Sequence, residues 1–212
     1  VCERAQNAAQ DGVDIGIAYI DCAEDNTETQ AVSSLAAKLN DESETGISVP
    51  HTGLSTSKYY KLLWKTLDAQ FDSAIIILDE IDLMNDDSVL MKLSRAEEAG
   101  KIECSIGIIA ISNKIQYVDN VDERVKSSFQ HKELFFKPYD ANQLREIMFN
   151  REDAFHDGVL TDDVIPLSAA FAAQEHGDAR KAIDILRHAG EVAYETGADQ
   201  VTEEHVRQAQ QH

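Results

Sequence analysis

The chain has 212 residues, and 39 Asp and Glu residues outnumber 19 Lys and Arg residues, which gives a formal net charge of −20 at pH 7. The length suffices for one or two domains with apolar cores, and 43% hydrophobic residues excludes general disorder. No apolar run approaches the roughly 18 residues of a membrane span, so we expect a cytoplasmic protein with no membrane partner. Three widely spaced cysteines argue against a disulfide framework and a zinc site.

The acidity has two explanations. It can serve solubility alone, or it can be an adaptation to a salt-rich cytoplasm, in which a Debye length of about 3 Å near 1 M salt weakens the repulsion between surface charges. The acidic residues are spread along the whole chain and are not confined to a tail. We therefore favour a halophilic origin, which predicts a melting temperature that rises with KCl.

Apolar patterning predicts alternating helices and strands over the first two thirds of the chain. The helices expected in chain order, the second capped by Asn26 or Thr27, are 1–10, 28–39, 57–67 and 87–99. The expected strands are near-continuous apolar runs, a pattern typical of strands buried on both faces of a parallel sheet. They are residues 15–20, 74–78, 105–111 and 133–136. Residues 41–56 contain Gly46, Pro50 and Gly53, which predicts a loop.

A boundary is expected at residues 137–140, and only helices are predicted after it. They are 141–156, 162–176, 178–196 and 202–211. The predicted fold class is α/β, with a parallel-sheet unit over residues 1–139 followed by an all-α unit over residues 140–212.

Two polar sites follow strands of the predicted sheet. Asp79 and Glu80 come directly after the run 74–78, and Asn113 follows the run 105–111. Ligands bind at the carboxyl ends of strands in open α/β sheets, where paired carboxylates suit a magnesium-bound phosphate and an attacking water. A solvated acidic loop and an ordinary turn asparagine are the alternatives in so acidic a chain.

These residues carry a resemblance to a known family. Residues 75–82 resemble the Walker B motif of AAA+ ATPases, and residues 108–113 resemble their sensor 1 strand. Residues 121–129 and 177–186 are similar to the box VII segment and the sensor 2 helix of the archaeal origin-recognition and cell-division-control replication initiators. The motifs occur in the family's order and span most of the chain.

The resemblance implies an AAA+ P-loop NTPase core and a helical lid that use ATP or ADP and Mg²⁺. Asp79 would hold the magnesium ion through water, Glu80 would be the general base, and Asn113 would sense water or phosphate. Arg124 would reach a neighbouring subunit's nucleotide, and Arg180 would contact the γ-phosphate in cis. The alternatives are a surface arginine near Asp119 and Asp122 for Arg124, and a helical ion pair with Asp184 for Arg180.

No GxxxxGK[ST] sequence occurs in the chain. In the resembled family this phosphate-binding loop precedes the helix that residues 1–10 resemble, and a winged-helix domain follows the lid. We therefore interpret the chain as an internal fragment that lacks the central P-loop strand. We expect that the fragment neither binds ATP tightly nor hydrolyses it, and that unpaired sheet edges favour oligomers.

The partners implied by the resemblance are origin duplex DNA, a replicative helicase and neighbouring AAA+ subunits. The segment that matches the family's DNA-contacting insertion, residues 41–61, carries Lys58 and Lys61 as candidate contacts but also three acidic residues. A solvated loop is an equal alternative there. Rival functions are a clamp-loader or helicase-loader ATPase and a non-catalytic AAA+-like interaction module.

Overall fold

The computed structural model describes residues 12–129, 132–175 and 177–210, and the helix predicted over residues 1–10 lies outside them. The chain divides into two compact units, with unit 1 ending at Lys132 and unit 2 beginning at Glu133. Each unit has its own apolar core. In the described ranges no helix is both long and apolar enough to cross a membrane.

Unit 1 is built on three parallel strands in the order β1-β2-β3. The strands are β1 (Ile15–Asp21), β2 (Ser73–Asp79) and β3 (Ser105–Ala110). Its helices are α1 (Glu28–Leu39), α2 (Glu42–Thr45), α3 (Thr56–Gln70), α4 (Ser88–Ser94), α5 (Tyr117–Asn120) and α6 (Glu123–Phe129), with a 3₁₀ turn at Ile81–Leu83. The parallel α/β class predicted from the sequence is confirmed.

The core of unit 1 lies on one face of the sheet. Alternate strand residues such as Ile20, Ile76 and Leu78 are fully buried and share an apolar cluster with Leu35 of α1 and Leu63 of α3. The expectation that the strands are buried on both faces is wrong for β1, where the burial alternates along the strand. Side chains on the second face of β1, such as that of Tyr19, are partly exposed.

Unit 2 is all-helical, as predicted. It contains α7 (Ala141–Phe149), α8 (Val164–Glu175), α9 (Ala179–Glu195) and α10 (Glu203–Ala209), with a 3₁₀ turn at Glu152–Ala154. Successive turns of these helices bury apolar side chains in one cluster, among them Leu144, Met148, Ala182, Leu186 and Val206. The amphipathic spacing that predicted the helices therefore builds this core.

The strand predicted over residues 133–136 is wrong. These residues are irregular, and Leu134, Phe135 and Phe136 are 69%, 57% and 86% exposed. A strand is stable only where a neighbouring strand takes its backbone hydrogen bonds, and within the described residues no strand pairs with this segment. Apolar composition alone is therefore not sufficient to form a strand.

Two helices end earlier than predicted, and one predicted loop contains a short helix. The helix expected over 87–99 ends at Ser94, after which single turns run to Gly100, whose φ is +60°. The expected loop 41–56 contains α2, because the Asp41 carboxylate accepts a hydrogen bond from the Ser43 N–H at 2.9 Å. The helix expected over 141–156 ends at Phe149 and is followed by a separate 3₁₀ turn.

Candidate nucleotide and metal site

The carboxyl ends of the three strands are joined by backbone hydrogen bonds. The Cys22 N–H donates to the Asp79 carbonyl at 2.9 Å, which ties the end of β1 to the end of β2. The Ile111 N–H donates to the Leu78 carbonyl at 2.9 Å, and the Ile81 N–H donates to the Ile111 carbonyl at 3.0 Å. Asp79, the last residue of β2, and the segment that follows β3 are therefore held side by side, and a shared ligand for Asp79 and Asn113 stays a prediction.

The Asp79 carboxylate is held by two hydrogen bonds. The Tyr19 hydroxyl donates to Oδ2 at 2.7 Å, and the Glu80 N–H donates to Oδ1 at 3.0 Å. The hydrogen bond to Asp79, partial burial and the nearby carboxylates raise the pKa of Tyr19 to about 12. The sequence reasoning missed Tyr19, although the parallel register that pairs Asp21 with Asp79 puts residue 19 on the face of β1 that Asp79 shares.

Glu80 has left-handed backbone angles, with φ +52° and ψ +40°. Among the described residues it is the one non-glycine residue with a positive φ. This conformation costs an L-residue about 1–2 kcal/mol. It ends β2 abruptly and starts the 3₁₀ turn, so that a strained glutamate lies directly beside Asp79, which is typical of functional sites.

Asp82 holds the loop after β3 in place through hydrogen bonds. The sequence analysis did not select this residue. Its side chain is 7% exposed. Oδ1 accepts hydrogen bonds from the Ser112 hydroxyl at 2.8 Å and from the Asn113 N–H at 3.3 Å, and the Lys114 ammonium lies 3.5 Å from Oδ2. Burial acts to raise the pKa of Asp82, but these hydrogen bonds and the Lys114 charge outweigh it and lower the pKa below its usual value.

Asn113 is therefore positioned through its backbone. Its side chain is exposed and makes no hydrogen bond with the described residues, which leaves its amide able to bind a ligand. The sequence predicted that Asn113 follows the end of a sheet strand. It did not predict the side chain that holds the Asn113 backbone, which is the Asp82 carboxylate, thirty-one residues earlier.

The carboxylate oxygens of Asp79, at the carboxyl end of the sheet, suit magnesium as ligands. Each Asp79 oxygen accepts one hydrogen bond and keeps a further lone pair. Across the described ranges, no group of three or more His, Cys, Asp and Glu side chains could hold a metal ion by itself. An ion beside Asp79 would take most of its ligands from water and phosphate oxygens, which is how Mg²⁺ usually binds in proteins.

A cleft of about 510 Å³ opens next to this edge. Asp82 and Lys114 line one end of it, and Met91, Tyr117 and Val125 line part of its wall. Asp79, Glu80 and Asn113 are not among its lining residues. The cleft therefore includes Asp82 and Lys114 but not the candidate metal position.

Arg124 lies near the start of α6 in the same unit. Its N–H donates to the Asp122 carboxylate at 2.8 Å, and its carbonyl accepts a hydrogen bond from the Arg95 guanidinium at 2.9 Å. The Arg124 side chain is exposed and forms no ion pair with a described residue. Arg124 is thus an exposed surface residue whose backbone contacts Asp122, and its role at a neighbouring subunit's nucleotide stays a prediction.

Arg180 lies in the first turn of α9, in unit 2. The Asp178 carboxylate caps this helix and accepts a hydrogen bond from the Arg180 N–H at 2.7 Å. The alternative ion pair between Arg180 and Asp184 is not formed, and Asp184 lies 3.6 Å from the Arg187 guanidinium. Arg180 is exposed, so its side chain is accessible to a ligand.

Lys58 and Lys61 lie three residues apart on α3 and are both exposed. Residues three apart lie on the same face of a helix. Neither lysine forms an ion pair with a described residue, so both ammonium groups could contact phosphate. Their assignment to DNA stays a prediction.

The comparisons with known proteins agree on the family. Residues 145–211 match the model of the Cdc6 AAA+ ATPase-type lid domain. Over its whole length the chain is 92% identical to the ORC1-type DNA replication protein 4 of Halobacterium salinarum and covers 52% of that protein. It is 48% identical to the ORC1-type DNA replication protein 9 of Haloarcula marismortui and covers 51% of it. Both relatives are haloarchaeal, in agreement with the origin inferred from the charge.

A solved structure supports the fold and the family. The ORC1 protein of Aeropyrum pernix, in complex with DNA, is 37% identical and superposes with a TM-score of 0.81. The alignment covers 99% of this chain and 53% of the solved chain. The chain thus belongs to the ORC1/Cdc6-type AAA+ family of DNA replication initiators and spans about half the length of the curated relatives that it matches.

Proposed function

We propose that the carboxyl edge of unit 1 is the Walker B and sensor 1 side of a magnesium–ATP site, and that the protein is an ATPase that acts in the initiation of DNA replication. The observation that carries the proposal is the joining of Asp79 and Asn113 at the ends of neighbouring parallel strands, through the Ile111 backbone and the Asp82 carboxylate. Membership of the replication-initiator family supports it.

The residues of this edge have distinct roles. Asp79 binds the ion through water, and its two hydrogen bonds hold the carboxylate in one orientation. Glu80 accepts a proton from the attacking water, and Asn113 donates its amide to that water or to the terminal phosphate. The bound magnesium ion supplies positive charge that offsets the negative charge of the phosphates.

The two arginines supply further positive charge. We infer that Arg124 contacts the nucleotide of a neighbouring AAA+ subunit and that Arg180, in the first turn of α9, contacts the γ-phosphate. Their exposed side chains support these roles. A guanidinium suits both positions because it remains charged and binds phosphate in a bidentate manner.

DNA is the proposed macromolecular ligand. The Aeropyrum pernix relative was solved in complex with DNA, and the exposed pair Lys58 and Lys61 provides candidate phosphate contacts. A chain with a net charge of −20 repels DNA at low ionic strength, whereas in molar salt this repulsion is screened and individual lysines contact phosphate only at short range. We place the protein in the cytoplasm, where it binds origin DNA and helps to load the replicative helicase.

The test is ATP hydrolysis in molar KCl by the longest reading frame that contains this chain. Glu80→Gln removes the general base, and we expect a rate about 10²–10⁴-fold lower with ATP binding retained. The matched control is Glu97→Gln, because Glu97 is an exposed glutamate of the same unit outside the site. We expect no turnover by the 212-residue chain alone, since its sequence contains no GxxxxGK[ST] loop.

The same assay separates the rival functions. Hydrolysis that Glu80→Gln does not slow contradicts the proposed role of Glu80. Absence of hydrolysis and of ATP binding in the longest reading frame favours the non-catalytic interaction module. Family membership favours an initiator over a clamp loader, and stimulation of turnover by origin duplex DNA would support that choice further.

A further inference from the structure

We propose that Tyr19 is a positioning residue for Asp79: its hydroxyl fixes the carboxylate in the orientation that binds a divalent cation. This inference rests on the proposed function, because it assigns a role to Tyr19 at the same metal site. It concerns a residue that no motif of the Walker B or sensor 1 segments includes, since Tyr19 lies on β1, sixty residues before Asp79.

The sheet brings the two residues together. In the parallel register Tyr19 is paired with Ile77, and Asp21 is paired with Asp79. Tyr19 and Asp79 are thus diagonal neighbours on one face, a spacing that a long aromatic side chain spans. The Lys38 ammonium donates to the Tyr19 carbonyl at 2.7 Å, which anchors the backbone from which the phenol extends.

The two hydrogen bonds to Asp79 are complementary. The Glu80 N–H binds Oδ1 at 3.0 Å and comes from the adjacent residue, so it moves with Asp79. The Tyr19 hydroxyl binds Oδ2 at 2.7 Å and comes from a different strand. Together they engage both oxygens and oppose rotation of the carboxylate, while each oxygen keeps a lone pair for water or metal.

Packing does not account for the tyrosine. The Tyr19 side chain is 46% exposed and is not part of the apolar cluster of unit 1. A phenylalanine would cover the same surface, so the contribution that distinguishes tyrosine is the hydroxyl. Loss of the hydrogen-bond partner of a direct metal ligand changes metal affinity by about 10–100-fold, and because Asp79 holds the ion through water we expect the lower end of this range.

The experiment uses the ¹⁵N-labelled longest reading frame that contains this chain, saturated with ADP in molar KCl, and Mn²⁺ as the paramagnetic probe, since Mn²⁺ prefers the same oxygen ligands as Mg²⁺. The dissociation constant comes from the broadening of the amide signals of residues 79–81. Asp79→Asn defines the site. The test variant is Tyr19→Phe, and the matched control is Tyr117→Phe, because the Tyr117 hydroxyl also donates to an aspartate, Asp87, at 3.4 Å.

We expect Tyr19→Phe to weaken Mn²⁺ binding at residues 79–81 about tenfold, Tyr117→Phe to leave it unchanged and Asp79→Asn to abolish it. Thermal unfolding in the same buffer should be equal for Tyr19→Phe and the native chain, which separates positioning from a loss of folding. Unchanged or tighter binding by Tyr19→Phe overturns the inference alone. Broadening that is absent in the native chain, or that survives Asp79→Asn, overturns the proposed metal site and the inference with it.

Discussion

The side chains of the two units are held in place in different ways. In unit 1 the site depends on hydrogen bonds between residues that are distant in sequence, such as Tyr19 with Asp79 and Ser112 with Asp82. In unit 2 the ion pairs nearest in distance join residues four apart on one helix, as between Arg187 and Glu191 at 2.6 Å. Unit 1 therefore forms its site only when its sheet is folded, whereas a single helix of unit 2 can place its own charges.

Gly177 makes a contact between residues distant in sequence within unit 2, because its carbonyl accepts a hydrogen bond from the Tyr139 N–H at 2.9 Å, and it provides the largest expected effect. Its φ is +65°, and an added Cβ would lie 2.5 Å from the Tyr139 carbonyl oxygen. We expect Gly177→Ala to lower the free energy of unfolding of unit 2 by about 3 kcal/mol, because a left-handed alanine is strained and the backbone must move to relieve the clash. Hydrogen exchange at the Leu186 amide measures the change.

The matched control is Gly158→Ala. Gly158 also has a positive φ, +74°, but an added Cβ there meets nothing within 4 Å. The strain alone should lower the free energy of unfolding by about 1 kcal/mol. Equal losses of unfolding free energy in the two variants would mean that the contact between Gly177 and Tyr139 does not stabilise unit 2. Contacts between residues close in sequence, such as its helical ion pairs, would then be typical of the whole unit.

Substitution of Asp82 tests whether contacts between residues distant in sequence stabilise unit 1. Asp82→Ala leaves the Ser112 hydroxyl and the Asn113 N–H without their acceptor, and we expect the free energy of unfolding of unit 1 to fall by about 2 kcal/mol. Fluorescence of Trp64, the single tryptophan of the chain, reports on this unit during denaturation. Asp184→Ala in unit 2 is the comparison, where the exposed pair with Arg187 should be worth less than about 0.5 kcal/mol. A loss at Asp184 that matches the loss at Asp82 would refute the contrast between the units.

The stability of unit 1 should also depend on pH through Asp82. Its pKa is lowered in the folded state, so the folded protein binds this proton less readily than the unfolded chain does. The stabilisation is present above the unfolded value, about pH 4, and is lost as the pH falls through the folded value. Denaturation followed by Trp64 fluorescence between pH 5 and about pH 2 should show a shallower loss of stability in Asp82→Asn than in the native chain. Parallel pH profiles for the two proteins would contradict the assignment.

The smallest expected effect is that of a helical ion pair in unit 2. The Arg207 guanidinium contacts Glu203 one turn earlier on α10, and both side chains are about half exposed. Arg207→Gln should lower the free energy of unfolding by about 0.3–0.5 kcal/mol at low salt and by less in molar KCl. Thermal unfolding at two KCl concentrations measures this. A loss above about 1 kcal/mol that persists in salt would give this pair the importance that we assign to the contacts of unit 1.

The same contrast explains what the sequence could predict. Local patterns predicted the β2 strand and its terminal Asp79, and the helices of unit 2, because apolar periodicity and capping residues act within one element. The Tyr19 and Asp82 contacts were missed, because they depend on the register between strands and on turns that no local pattern specifies. The strand prediction for residues 133–136 was wrong for a related reason, because apolar side chains do not specify which strand would pair with the segment.

The most direct test of the central proposal is to locate the metal. Crystals of the longest reading frame that contains this chain, grown with ADP and Mn²⁺, would give an anomalous difference peak at the ion. We predict a peak at the carboxyl ends of β2 and β3, beside the Asp79 carboxylate and joined to it by water. A peak at another position, with the surroundings of Asp79 and Asn113 free of nucleotide and metal, would contradict the proposed site.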